Sequence, residues 1–480
     1  MRYNQGVRGA LMAMALLGVL SACGRPSPGN HESGGSSATV AKVGDADATP
    51  PQLPPLVLGL ASLDGFAYRT RAGHDAFKRA REAELKGDWA GAATACEQAI
   101  AADPDHLDAS YLLAVARAKQ NQLEGILPPL TKAVSADFGK WGQASLDQPA
   151  LQKFLATPSG QAWRARVEAD RDAFSTALAR SLIVSSHGDL YAFDPETTRW
   201  LRVTRTGGAV VGSFAPKGVA RLVYVTREKD KAKHTTRVKL GMVDLSTGRA
   251  RLAVELTGTG AIRVAYNAKK LKRFVVRVGN TWSSVVDEIK LRLEPEAKGA
   301  HIGYLADVLG TWLDISGRSA HLTRIGVPNV NADWDNQSLA SALRIGSSHR
   351  VVTVPSPGLI EGNTLVWSPD NTQLAFVAKL ADVCKPGEPT AAAFVADGST
   401  GAVQEVERAT GGVAVDWVAA RKLAVAGDGG VTIVDLAGGG PQHLEAADGL
   451  VVPRRKPACV VEPVIEEPPA EDEETTVVAP

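Results

Sequence analysis

The chain has 480 residues, 44% of them hydrophobic, 22% charged and only 5% aromatic, and its 53 basic and 52 acidic side chains leave a formal charge of +1. That balance excludes the strong uniform field of a nucleic-acid binder or of an acidic solvating protein, and four cysteines exclude a disulfide-dense scaffold and an array of zinc ribbons. The length accommodates about three domains, or two with tails. At the N-terminus, Arg2 and Arg8 precede a short apolar run, Ala10 to Leu20, which ends in Ser21-Ala22-Cys23. Positive charge followed by such a run spells a secretory signal over residues 1–23, and the run is too short to cross ~30 Å of hydrocarbon as a helix. Residues 24–60 follow, rich in Gly, Ser and Pro, as in Ser33-Gly34-Gly35-Ser36-Ser37 and Pro50-Pro51-Gln52-Leu53-Pro54-Pro55. A segment of this kind buries too little surface to offset its ordering entropy and is expected to be a flexible linker.

The residues Leu20-Ser21-Ala22-Cys23 resemble the lipobox of bacterial lipoproteins. The resemblance implies that Cys23 becomes the new N-terminus, carries a diacylglycerol as a thioether and is acylated on its amine, so that several chains anchor it firmly. Gly24 stands where many Gram-negative lipoproteins retained at the inner membrane have Asp. The protein is therefore expected to be lipid-anchored in the bacterial cell envelope, at the outer membrane, facing the periplasm or the cell surface. No later stretch offers 18 consecutive apolar residues, so a second membrane segment is not expected.

Residues 61–180 are expected to be helical. From Ala80 to Pro104 small residues recur at Ala80, Ala92 and Ala99, Gly87-Asp88 marks a turn, and Pro104 closes the second helix. This stretch resembles a tetratricopeptide repeat (TPR), in which small side chains let two antiparallel helices approach closely. Cys96 stands where the repeat usually has an aromatic, and reads as a small buried hydrophobe. A looser unit spans Leu107–Asp137, with turn residues Asn121-Gln122-Leu123 and an off-pattern Pro128-Pro129. Two units are fewer than a repeat stack needs, so a further helix over 158–180 is expected to cap them with Trp163, Val167, Phe174 and Leu178 on one face. The module is either a groove for a peptide or partner helix, or a helical plug packed on the next domain.

Beyond Ser181 the periodicity becomes that of strands, with runs such as Arg221–Val225 and Gln373–Val377 closed by turn residues. A turn of the form Asp-x-x-Thr-Gly, or a relative of it, recurs at Asp194, Asp244, Asp314, Asp397 and Asp435. In such turns Asp accepts hydrogen bonds from nearby amides and Gly supplies positive φ. A second signature starts from an aromatic, at Phe214, Tyr266, Trp367 and Trp417. The run Leu365–Phe376, with Trp367-Ser368-Pro369-Asp370-Asn371 at its centre, resembles the repeat of WD40-like propellers in the periplasmic TolB family and in peptidases. The resemblance implies a β-propeller of five to seven blades over 181–455, with a β-sandwich as the alternative. The fold class is thus multidomain α and β: a TPR-like helical module, then a propeller.

The chain lacks a Gly-x-Ser-x-Gly elbow, a His-Glu-x-x-His helix, a Walker loop and a Cys-x-x-Cys pair, so neither catalytic residues, cofactor nor metal are assigned. The nine histidines are scattered, and the Ser-Ser-His repeated at His187 and His349 reads as a remnant of the blade repeat. Asp333 and Asp335, beside Trp334 and Asn336, lack the Gly and distal Glu of a calcium loop and read as a solvated turn. Residues 180–460 hold 35 basic and 27 acidic side chains, the basic ones concentrated at Arg227–Lys239 and Arg263–Arg277, and nucleic acid is not expected as a partner. Residues 456–480 form an acidic tail expected to be disordered, with seven acids and no base after Cys459-Val460. Cys384 and Cys459 form a candidate disulfide across a loop of about 75 residues, worth ~4 kcal/mol in the loop-entropy picture. The sequence thus points to a non-enzymatic envelope lipoprotein that scaffolds an unidentified protein partner through both modules. The alternatives are glycan or small-ligand binding in the propeller mouth, and an enzyme with a dispersed propeller site.

Overall fold

In the computed structural model the chain divides into two units, residues 1–49 and 50–480. The described residues belong to the second: 52–66, then 72–450 apart from internal stretches, the longest of them 296–310 and 324–338, and finally 460–461.

The helical layer comprises α1 (His74–Leu85), α2 (Trp89–Ala102), α3 (Leu107–Lys119), α4 (Leu127–Ala136), α5 (Phe138–Asp147), α6 (Gln152–Leu155) and α7 (Pro158–Arg180). Local chemistry sets the ends. Gly87 turns the chain at φ +74°, and Asp88 caps α2 by accepting from the Gly91 amide at 2.9 Å. Asn121, at φ 61°, lies in the loop after α3. Pro128 and Pro129 lie in the first turn of α4, where a missing N–H costs nothing. Thr157 caps α7 through the Gly160 amide, and Pro158 opens that helix. Ala80, Ala92, Ala99 and Cys96 are fully buried, and α1, α2 and α3 close on one another through a core of small side chains.

The strands form six antiparallel sheets of four or five strands among the described residues. Blade 2 runs Val210–Phe214, Arg221–Asp230, Thr235–Asp244, Arg249–Glu255. Blade 3 runs Ile262–Asn267, Arg273–Val278, Thr281–Asp287, Arg292–Pro295, and blade 4 runs Thr311–Leu313, Ser319–Thr323, Ala342–Ile345, Arg350–Thr353. Blade 5 runs Leu359–Trp367, Gln373–Lys379, Ala391–Asp397, Val403–Ala409, with Leu339–Ala340 added before its first strand. Blade 6 runs Ala414–Ala419, Lys422–Gly427, Gly430–Asp435, Gln442–Leu444. Blade 1 takes three strands from the start of the domain, Leu182–Ser186, Asp189–Asp194 and Arg199–Arg202. Its first strand, Gly449–Leu450, comes from the far end of the chain.

Alternation along each strand makes a ring of these sheets. Leu374, Phe376 and Ala378 pack toward blade 4 with Leu343 and Val352, while Ala375 and Val377 pack toward blade 6 with Val415 and Leu423. In blade 1, Leu190 and Ala192 share a core with Leu222 and Val243 of blade 2, whereas Tyr191 and Phe193 meet Ala424 and Ile433 of blade 6. Blade 2 meets blade 3 through Val223, Leu240, Phe274 and Val276. Central strands therefore bury both faces, as Ala391–Asp397 does at all but its last residue. The last blade packs on the first and its following strand completes that sheet, so the described residues form six blades arranged as a β-propeller whose two ends meet at blades 6 and 1.

Two boundaries differ from the expectation. The linker over 24–60 does not stay free to its end: Leu53, Leu56 and Leu58 pack against the helical core, and the Gly59 amide donates to Ser135 O at 2.8 Å. Leu60 then pairs with Trp200 on the outer strand of blade 1, and Leu63 and Phe66 are buried beside Tyr191. The Pro-rich composition masked a run of leucines with enough apolar surface to order the strap. Within the tail over 456–480, Val460–Val461 is not free but pairs in parallel with Val383–Cys384.

Candidate interaction surfaces

The helical layer and the propeller are joined by one continuous core. Phe138, Trp163, Val167, Phe174 and Leu178 lie in the same cluster as Leu190 and Leu201 of blade 1 and Leu222 and Tyr224 of blade 2. The α7 stripe expected from the sequence supplies this seam: Trp163 has no exposed surface, and its Nε1 donates to Ser145 Oγ at 3.2 Å.

Charged ties surround the seam. Arg180, at the end of α7, donates from Nε and Nη2 to the two carboxylate oxygens of Asp194, each at 2.7 Å, and also reaches Glu196. Burial raises the Asp194 pKa, but hydrogen bonds from Arg180, Thr197 and the Glu196 amide outweigh it and hold the carboxyl below its ordinary range. Arg205, just beyond blade 1, makes a two-pronged pair with buried Asp137 at the start of α5. Asp170 of α7 is buried, takes a bidentate contact from Arg166 at 2.7 and 2.8 Å, and accepts the Leu56 amide of the strap at 3.0 Å. The Arg199 guanidinium donates to Leu58 O and Gly59 O. Helices, strap and blade 1 thus form one body.

This junction decides between the two readings of the helical module along α3. Leu112, Leu113 and Ala116 face α1 and α2, while Tyr111, Ala114, Val115 and Ala118 lie in the core shared with α4–α7. Tyr111 stacks on Trp141 with ring centroids 3.9 Å apart and donates its hydroxyl to Ala144 O. The surface of α3 is filled by the chain's own residues, as in a plug. The α1–α2 end stays open: His74, Asp75, Lys78, Arg79, Arg81 and Glu82 are exposed. So is Leu85, at 83%, with half-buried Trp89 nearby under the Lys119 ammonium at 5.5 Å.

On the propeller, Asp194, Asp244, Asp397 and Asp435 end the third strands of blades 1, 2, 5 and 6. Phe214, Tyr266, Trp367 and Trp417 stand in the first strands of blades 2, 3, 5 and 6. In an antiparallel sheet the turns after the first and third strands share an edge, so both signatures fall on one rim. The aspartates are consumed by their turns. Asp397 accepts from the hydroxyls and amides of Ser399 and Thr400, which holds its carboxyl far below the ordinary range; Asp370 is lowered by the Ser368 hydroxyl and by Thr372. Two blades were missed by the motif: blade 3 ends its third strand at Asp287 without the following Thr-Gly, and blade 4 ends it at Ile345.

Of the chemistry-bearing residues singled out from sequence, Cys23, Cys459, Asp314, Asp333, Asp335 and His349 lie outside the described residues. Cys384 is placed by its backbone in the short parallel pair. His187 sits in a tight turn at φ 48° and donates its amide to Asp448 Oδ2 at 2.6 Å. Cys96 is a buried core thiol, its pKa pushed up to about 12 by burial and by Glu84 and Glu97. Among the described residues, three or more potential metal ligands never gather at one point, and no helix is long and apolar enough to cross a membrane.

The tetratricopeptide repeat family matches residues 85–125, from the end of α1 to the loop after α3. No curated protein sequence matches the chain. Among solved structures, the chain is similar to the tricorn protease at 12% identity, covering 57% of this chain and 33% of that one with a TM-score of 0.29. It is also similar to the β-propeller domain of the Trilobed protease from Pyrococcus furiosus, at 10% identity, covering 53% of this chain and 73% of that one with a TM-score of 0.26. A puromycin-hydrolyzing peptidase of Mycobacterium tuberculosis is matched at 14% identity over 49% of this chain and 38% of that one, with a TM-score of 0.24. The chain thus spans about a third of the length of the tricorn protease and of the tuberculosis peptidase. The ring itself rests on the strand pairings and shared cores above.

Proposed function

We propose that the protein is a non-enzymatic lipoprotein of the bacterial cell envelope, anchored through Cys23, that scaffolds a protein partner with its TPR-like and propeller surfaces. The observation that carries this reading is a tetratricopeptide match at residues 85–125 in helices that share a continuous core with the ring. Repeat helices of this kind offer surfaces to partner segments. With α3 enclosed, the docking face is the exposed α1–α2 end around Leu85. The anchor rests on the sequence Leu20-Ser21-Ala22-Cys23 and on the Gly, Ser and Pro-rich stretch that follows it.

Photo-crosslinking in cells, with the reactive side chain at position 85, tests the scaffold directly. A discrete crosslinked protein that is absent when the probe sits at exposed Gln404 of blade 5 is expected. Failure to capture any discrete species at 85 overturns the docking face. Metabolic labelling with an alkyne-bearing fatty acid tests the anchor: label is expected on the wild-type chain and not on Cys23→Ser, and an unlabelled wild type overturns it.

A further inference from the structure

We propose that the strap is a latch: docked across blade 1, residues 59–66 set how firmly the two ends of the propeller hold together, and they tie that seam to the helical layer. The strand pairing at the seam of blades 6 and 1 is small. It joins Val184 to Leu450 and Ser185 to Gly449, backed by the Asp448 amide donating to Ser185 O at 2.7 Å. Among the described residues, the seams between blades 2 and 3, 4 and 5, and 5 and 6 are filled by the propeller's own side chains. At blades 6 and 1, where blade 6 offers the small Ala414, Ala424 and Ala426, buried residues also come from outside the ring. Leu63 and Phe66, on one short 3-10 turn, share a core with Tyr191, Phe193 and Ile433, and Phe66 lies against Tyr191 with ring centroids 5.6 Å apart. Leu107, the first residue of α3, packs on the same cluster.

The two clamps sit at opposite edges of blade 1. Gly449–Leu450 pairs at one edge, and the strap covers the other, where the Leu60 amide donates to Trp200 O at 2.9 Å and the Trp200 amide to Leu60 O at 2.7 Å. The strap makes its contacts in chain order. Leu53, Leu56 and Leu58 pack on the helical layer, and the Leu56 amide donates to Asp170. Gly59 crosses next, at φ +79° with its amide on Ser135 O. A β-carbon there would fall 2.4 Å from Trp200 O, so glycine alone lets the strap lie this close. Leu60, Leu63 and Phe66 then follow on blade 1 and in the seam. Segments of this kind open locally, at less cost than global unfolding. The strap is thus an element with a docked and an undocked state, and contacts at the helical end bias the same equilibrium as contacts at the seam.

Hydrogen exchange of the full chain tests the latch, read at the amides of Asp448, Gly449 and Leu450 for the seam and of Phe376 and Val377 for the middle of blade 5. Phe66→Ala removes a seam contact, whereas Gly59→Ala removes none and pushes the strap off the outer strand. Both are expected to speed exchange at the seam several-fold and to leave blade 5 unchanged. Wild-type exchange at the seam in Phe66→Ala overturns the latch. Wild-type exchange there in Gly59→Ala alone overturns the tie to the helical layer. An equal rise in blade 5 overturns both, because it marks a general loosening of the fold. Circular dichroism matching wild type shows that each variant remains folded. Leu63→Val, a smaller loss at the same seam, carries the test where Phe66→Ala does not fold.

Discussion

The helical layer has two interfaces that are built on opposite principles. Between α1, α2 and α3 most of the buried contact is made by small side chains, Ala80, Ala92, Ala95, Cys96 and Ala116, together with Leu112 and Leu113 of α3. Between α7 and the ring it is made by Phe174, Leu178 and Tyr224, side chains that span the distance between a helix and a sheet. The first interface is filled mainly by small side chains, and the second by large ones. The same packing density is reached from small residues and from large ones, and only the direction of a damaging substitution differs.

That contrast can be broken from the large-residue side first. Trp163→Ala is expected to cost about 3–5 kcal/mol by leaving a cavity in the core that continues into the ring and removing the indole donor to Ser145 Oγ, read as a lowered denaturant midpoint. Ala80→Leu or Ala92→Leu, at positions with no exposed surface, is expected to cost about 1–3 kcal/mol by overpacking, whereas the same exchange at exposed Ala90 should be nearly silent. Asp170→Ala leaves the Leu56 amide and Arg166 without their shared acceptor; a loss of about 1–3 kcal/mol is expected, with faster proteolysis of the strap before Leu60.

The smallest expected effect is electrostatic. Asp194 has a folded-state pKa below its unfolded value, so the stability it contributes is full above the ordinary carboxylate range and is lost as pH falls through the folded pKa. Asp194→Asn is expected to flatten the acid limb of the stability profile and leave the neutral-to-alkaline limb unchanged in slope. An unchanged acid slope would show that the pair with Arg180 contributes nothing to the seam.

Much of the local structure was legible in the chain. Gly87-Asp88 and the stripe Trp163, Val167, Phe174, Leu178 report their own structure, because turn and capping chemistry and a 3.6-residue apolar period are local physics. The turn aspartates were readable for the same reason, since each makes its hydrogen bonds within a few residues. Blades 3 and 4 escaped the motif because their third strands end without that turn. The strap was hidden by proline, and what holds it, the Asp170 carboxylate and the outer strand at Trp200, lies far away in the chain.

By itself the sequence determined the order of the parts: an apolar run from Ala10 to Leu20, an alanine-rich helical stretch, a run of short strands and an acidic end. Composition and periodicity are properties of neighbouring residues, so they are readable there. Tertiary structure decided that the helices enclose α3 instead of leaving it as a groove, that six blades close with a strand borrowed from the end of the domain, and that Val460 returns to Val383. Each is a pairing of segments remote in the chain. Such pairings are fixed by which apolar faces remain uncovered once the local elements have formed, and no window of sequence contains that information.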